Sequence, residues 1–159
     1  MNDSYSEIIA GEINKYLTAG DWRFSFDDQL GWFDFSLDIR GRLKKVDFIV
    51  KTKSDFYLVY AYCPLSVDAE KIATMAELVC RANFGIFDGS FELDVRDGEL
   101  RYKSFVDCRG GITPTKDRIE RSIFIPAWLF DKFGNSIADI IFTNVSAAEA
   151  VERCEKMME

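Results

Sequence analysis

Four carboxylates, Asp27, Asp28, Asp34 and Asp38, lie close together in the chain. Carboxylates that converge bind divalent cations or exchange protons. These four lack the spacing of a calcium-binding loop, so a loop acid pair followed by the solvent face of a strand accounts for them more simply. Arg109-Gly110-Gly111, with Arg118 and Arg121 beyond it, could hold a phosphate at a helix N-terminus. It matches neither a P-loop nor a dinucleotide fingerprint, and a solvated loop is the plainer reading. The thiols Cys63, Cys80, Cys108 and Cys154 are widely spaced, with no C-x-x-C pair. The chain has no histidine. That removes imidazole acid–base catalysis, histidine-activated serine or cysteine nucleophiles, and most zinc or iron sites. The cysteines therefore read as free, mostly buried structural thiols. These residues point to no enzyme and no cofactor. The alternative is a small ligand-binding protein or enzyme using the acidic residues or the Gly110-Gly111 loop.

The aromatic residues carry a different possibility. Trp32 falls in phase with the polar residues of its strand, Phe105 falls on the charged side of a hairpin, and Trp128 is out of phase with Phe130 and Phe133. Each is either core beneath a misplaced element or part of an exposed apolar patch of the kind that marks partner surfaces. Trp32, Phe105 and Trp128 are thus the candidate partner surface. The basic cluster Arg40, Arg42, Lys44 and Lys45 could touch an acidic partner, but a solubilising hairpin tip explains it as well.

Bulk properties narrow the field. The 159 residues suffice for one domain with a sizeable core, and 48% are apolar, including 14 Phe. A net charge of −7 and a pI of about 4.7 argue against nucleic acid and anionic membranes as partners. No apolar run approaches the ~20 residues needed to cross a bilayer. The N-terminal MNDSYSEIIA lacks the apolar stretch of a secretory signal, so a reducing cytoplasm is expected and the sequon at Asn144 carries no meaning.

The elements that must position these residues follow from periodicity. Ser4 and Glu7 form a capping-box pattern ahead of Tyr5, Ile9, Ile13, Tyr16 and Leu17, predicting a helix from about Asp3 to Ala19. Period two begins at Arg23–Asp27, with Phe24 and Phe26 on one face. Phe33, Phe35, Leu37 and Ile39 then alternate with polar residues, as do Val46, Phe48 and Val50. A type II′ turn at Gly41-Arg42 would set Leu37 against Val46, Phe35 against Phe48 and Phe33 against Val50. Phe56–Cys63 is apolar throughout, which suggests a central strand buried on both faces.

A helix from Ser66 or Asp68 to about Asn83 should bury Ile72, Met75, Ala76, Val79 and Ala82. Asp97-Gly98 suits a type I′ turn pairing Val95 with Leu100, Leu93 with Tyr102 and Glu92 with Lys103. Thr113 as cap before Pro114 would start a long helix, kinked at Pro126 and broken near Gly134-Asn135. Ser146 and Glu149 form a second capping box, ahead of a helix burying Ala147, Val151, Cys154 and Met158. The expected fold is α+β: an antiparallel sheet built from hairpins, with an N-terminal helix, a central helix and C-terminal helices packed against it, in one domain spanning 1–159.

Asn83, then Gly89-x-Phe91-x-x-Asp94, the Asp97-Gly98 turn and Tyr102 on the return strand resemble the YbjN family of bacterial proteins. The C-terminal ADIIFTNVSAAEAVE, with Ser146, Glu149 and Ala150, is similar to that family's end. The likeness covers most of the chain in element order and a smaller part of it in residues. It implies the fold of class I type III secretion chaperones and no catalytic residues. It further implies a small acidic cytosolic protein, often a homodimer, in a chaperone-like or regulatory binding role. The path from the hairpin through Gly110-Gly111 and Pro126 departs from the family's pattern. Read together, the chain is expected to be a non-enzymatic protein-binding domain that docks a peptide or partner through an apolar sheet or helix surface.

Overall fold

A computed structural model describes residues 4–156. The fold is α+β. Among the described residues, helix α1 (Glu7–Ala19) leads into strands β1 (Phe24–Asp27), β2 (Trp32–Asp38), β3 (Lys45–Thr52) and β4 (Phe56–Tyr62). A 3₁₀ turn (Ala69–Lys71) and helix α2 (Ile72–Asn83) precede strands β5 (Ser90–Leu93) and β6 (Leu100–Asp107), and helices α3 (Lys116–Phe142) and α4 (Ala147–Lys156) follow. The strands form one antiparallel sheet in the order β1-β2-β3-β4-β6-β5.

Alternation decides which face of the sheet is covered. Phe33, Phe48, Val50, Tyr57, Val59 and Tyr102 are each at most 1% exposed, and they share one core with the apolar residues of the helices. The intervening residues of the same strands are half-buried or exposed. All helices therefore lie on one side, where Ile13, Leu17, Met75, Leu78, Ile123 and Phe130 complete the core. β4 shows the same alternation, so it is central but buried on one face only, contrary to the expectation of two. Its uniformly apolar sequence reflects tyrosines and a leucine that stay half-covered on the second face.

Side-chain caps start α1, α3 and α4, though not always the expected ones, while α2 has none and Asp68 makes no capping hydrogen bond. Ser6, not Ser4, caps α1 by accepting from the Ile9 N–H at 3.2 Å. The expected start at Asp3 lies outside the described residues. Tyr5 instead donates its hydroxyl to the Asp28 carbonyl at 2.8 Å, tying the chain start to the β1–β2 turn. α3 starts two residues later than expected, at a Thr115 cap. It runs on through Pro126 and Gly134 without the expected break. Gly134 serves packing: a Cβ there would lie 3.2 Å from Leu43, which is buried against it. In α2 the buried stripe is Met75, Leu78 and Ala82, and Ala76 is exposed. The Ser146–Glu149 capping box forms as expected, with the Glu149 N–H donating to Ser146 Oγ at 3.2 Å. α4 buries Ala150 rather than Val151, and Met158 lies outside the described residues.

The two hairpins differ from expectation in instructive ways. The β2–β3 register is the expected one, Phe35 against Phe48 and Leu37 against Val46. Its turn is not type II′. Lys44, at φ +67°, takes the left-handed position, while Gly41 does not. The loop is held from outside: Asp131 Oδ1 accepts from the Arg40 and Gly41 N–H groups at 3.0 Å each, and Asn135 Oδ1 from the Arg42 N–H at 3.1 Å.

The β5–β6 register is shifted by two residues, with Phe91 against Tyr102 and Leu93 against Leu100. The Asp94 N–H donates to the Glu99 carbonyl at 2.9 Å, closing a longer loop in which Val95 is exposed. Because strands repeat every two residues, this slip leaves each side chain on its expected face.

Candidate functional site

The face of the sheet opposite the helices is left uncovered among the described residues. The register puts Trp32, Lys51, Leu58 and Phe105 side by side across β2, β3, β4 and β6. At the usual strand spacing that row spans about 14 Å. The next row sets Ile49, Tyr60 and Lys103 abreast, and the one beyond it Asp47, Tyr62, Arg101 and Glu92. Phe105 is half exposed and stacks at 5.1 Å on Phe56, while Trp32 is half-buried. Two of the three residues picked from phase alone thus share one row.

Electrostatics on this face are organised around the rings. Lys51 Nζ sits 4.0 Å from the Trp32 ring centroid and 5.2 Å from that of Tyr60. The Arg101 guanidinium lies 4.4 Å from the same Tyr60 ring. Cations over aromatic faces are stabilised by the ring quadrupole, by about 0.5–2 kcal/mol according to exposure. Burial lowers the Lys51 pKa, and the neighbouring Arg101 and Lys53 lower it further. Glu92 accepts from Arg101 Nε at 2.7 Å and from Lys103 Nζ. Burial works against its charge, but those two bonds prevail and hold its carboxyl below the usual range. Asp94 adds nothing to this ladder, because it turns back onto Arg96 at 2.6 Å.

Trp128 does not join this surface. It is 56% exposed on α3, in the helical layer, one turn from Phe124 at 45%. Phe124 in turn edges onto Trp22 at 5.9 Å and closes a groove of about 460 Å³ between α1 and α3. The expected three-residue patch is therefore two patches on opposite layers.

Other features went unread in the sequence. Phe84 and Phe87, in the α2–β5 connector, are each 95% exposed. Register places that connector beside the Phe105 end of β6, since Ser90 pairs with Lys103. Two phenylalanines around Gly85, in a stretch with no period, were the only available signal. Lys51 was hidden for another reason: its partners lie on other strands. Asn83 was noted without a role. Its Nδ2 donates to the Phe91 carbonyl at 2.9 Å and its Oδ1 accepts from the Phe91 N–H at 2.8 Å. The amide occupies one residue's worth of the β5 edge, as a neighbouring strand would.

The remaining candidates are accounted for locally. Asp27 Oδ1 accepts from the Gln29 and Leu30 N–H groups, and Asp38 lies opposite Lys45. Among the described residues no three potential ligands gather at a metal-binding distance. Arg109 is held by Asp107 at 2.8 Å, and Gly110 and Gly111 face open space at positive φ. Arg42 is ion-paired to Asp139, so the basic tip is partly an internal contact.

The four thiols are free. Burial pushes Cys63 up to about 11 and raises Cys108 and Cys154, so these three stay protonated at neutral pH. Cys80 is exposed. No helix among the described residues is long and apolar enough to cross a membrane. Neither a scan against protein-family models nor a search of curated proteins finds a match to the chain.

Proposed function

We propose that the chain is a non-enzymatic protein-binding domain, chaperone-like or adaptor-like, that docks a peptide or partner protein on the open face of its sheet. The observation behind this is the row Trp32–Lys51–Leu58–Phe105, flanked by Tyr60, on a face that no helix covers. A solvated sheet face ordinarily alternates to polar residues. Here it carries the aromatic and arginine side chains that dominate binding energy at interfaces. Strand addition is a lesser route, because Asn83 already bonds the β5 edge at Phe91. We further propose, from the likeness of Asn83, Gly89-x-Phe91-x-x-Asp94 and the Asp97-Gly98 turn, that the chain is related to the YbjN family. Free thiols favour a reducing cytoplasm.

Affinity capture from the native host, read by quantitative mass spectrometry, tests the proposal. A protein partner retained by the wild type and by Trp128→Glu, but lost by Trp32→Glu/Phe105→Glu, supports it. A partner insensitive to the double change, or a co-purifying metabolite alone, refutes it.

A homodimer is proposed through the second patch, Phe124 and Trp128, which leaves the sheet face free. Trp128→Glu should then sediment as a folded monomer. A persisting dimer removes that assignment.

A further inference from the structure

We infer that the open face recognises an acidic segment of a partner protein, a carboxylate of which sits between Lys51 and Arg101 while flanking apolar side chains lie on Trp32, Leu58 and Phe105. The inference rests on the docking surface proposed above and adds its specificity.

The charge pattern of the face supports it. Of the carboxylates around this face, Asp47 takes Lys45 at 3.2 Å, Asp107 takes Arg109 at 2.8 Å, Glu92 is shared by Arg101 and Lys103, and Glu99 reaches Arg101 at 3.9 Å. Asp34 lies one strand and one row from Lys51, beside Ile49. Among the described residues no carboxylate comes within ion-pair distance of Lys51, whose ammonium rests over the Trp32 and Tyr60 rings instead. Across β3, β4, β6 and β5, in the rows from Lys51 to Arg101, the cations Lys51, Lys103 and Arg101 thus face two carboxylates, Asp47 and Glu92, and Asp47 is taken by Lys45.

Tyr60 separates Lys51 from Arg101, and both cations lie over its ring. A carboxylate there would meet donors from both cations, Lys51 with no carboxylate of its own and Arg101 already shared with Glu92. The half-buried ammonium has already lost part of its hydration, which is reflected in its lowered pKa. An incoming anion therefore gains more from it than from a lysine in free solvent. Nucleic acid also offers anions, but the net charge of −7 repels a polyanion far more than a single carboxylate, because the repulsion grows with the charge brought in. A short acidic stretch with apolar neighbours fits both the local cations and the rings beside them.

The test is a display selection of short random peptides on the immobilised full chain, followed by affinity measurements. Recovered peptides should be enriched in Asp or Glu next to Phe, Leu or Trp. Changing that acid to its amide should weaken binding about tenfold to a hundredfold. Lys51→Glu should reverse the preference toward Lys or Arg, with an unchanged circular dichroism spectrum. Lys51→Met, which keeps the apolar stem, should lose the acid preference without gaining a basic one.

Neutral or basic peptides that bind wild type and Lys51→Glu alike, yet are lost on Phe105→Ala, would overturn the acidic specificity and leave the docking surface standing. Peptides indifferent to Trp32→Ala and Phe105→Ala, or no recovered peptide, would overturn both. Self-association that Lys51→Glu abolishes would replace the acidic segment by a second copy and so overturn the inference.

Discussion

Thr52 is fully buried, and among the described residues its Oγ1 has no hydrogen-bond partner. A buried hydroxyl without a partner loses its hydration for nothing, and valine has nearly the same shape. Thr52→Val is expected to stabilise the fold by about 1 kcal/mol in urea unfolding. Interior phenols set a second residue-scale expectation. Burial pushes Tyr57 up to about 12 although it is hydrogen-bonded to Ser122, and burial beside Glu120 pushes Tyr16 up to about 12. The unfolded chain ionises these groups near 10.0, before the folded chain does. Their contribution is therefore complete below pH 10.0 and is lost as the pH rises toward 12. Denaturant midpoints should fall steeply over that window, and Tyr57→Phe should flatten the fall. Equal slopes for the two proteins would contradict the assignment. At this scale the sequence was legible where a strand gave a phase: Trp32 and Phe105 stood out by parity alone. Phe84 and Phe87 did not, because a connector has no period from which a residue can deviate.

The β5–β6 hairpin shows how local and tertiary chemistry divide the control of an element. Asp97-Gly98 is a strong two-residue turn signal, yet the loop runs from Asp94 to Glu99. Asp94 accepts from the Arg96 N–H and Asp97 from the Glu99 N–H, each at 3.0 Å, building a wider turn. Gly98, at φ +76°, is pressed against the Val67 backbone, where a Cβ would come within 2.0 Å of the carbonyl oxygen. That contact joins residues distant in sequence and left no local trace. Gly98→Ala combines left-handed strain with this clash and should cost about 2–4 kcal/mol by chemical denaturation. Asn83→Leu should cost about 2 kcal/mol and open the β5 edge, read as faster aggregation on mild heating. The β2–β3 pairing was legible because phenylalanine and valine alternation fixes it. Its turn was not, since the bonds that hold it come from Asp131 and Asn135 on α3.

At the scale of the molecule, the arrangement is two layers: helices on one face of a six-stranded sheet, and an aromatic, cation-bearing face left open among the described residues. Hairpin alternation and capping made the α+β class legible. The one-sided burial of β4 was not, because its uniformly apolar sequence reads as covered on both sides, whereas Leu58, Tyr60 and Tyr62 face outward half-covered. Phase within an element does not say which layer a residue faces, so Trp128 on α3 was grouped with Trp32 and Phe105 of the sheet. The central claim is that the sheet face, and not the helical face, receives the partner. Photocrosslinking in the native host tests it directly, with p-benzoylphenylalanine placed at Phe105 in one variant and at Phe124 in another. A discrete protein adduct from position 105 and none of that mass from position 124 is the expected result. The same adduct from position 124 alone, or no protein adduct from position 105, would contradict it.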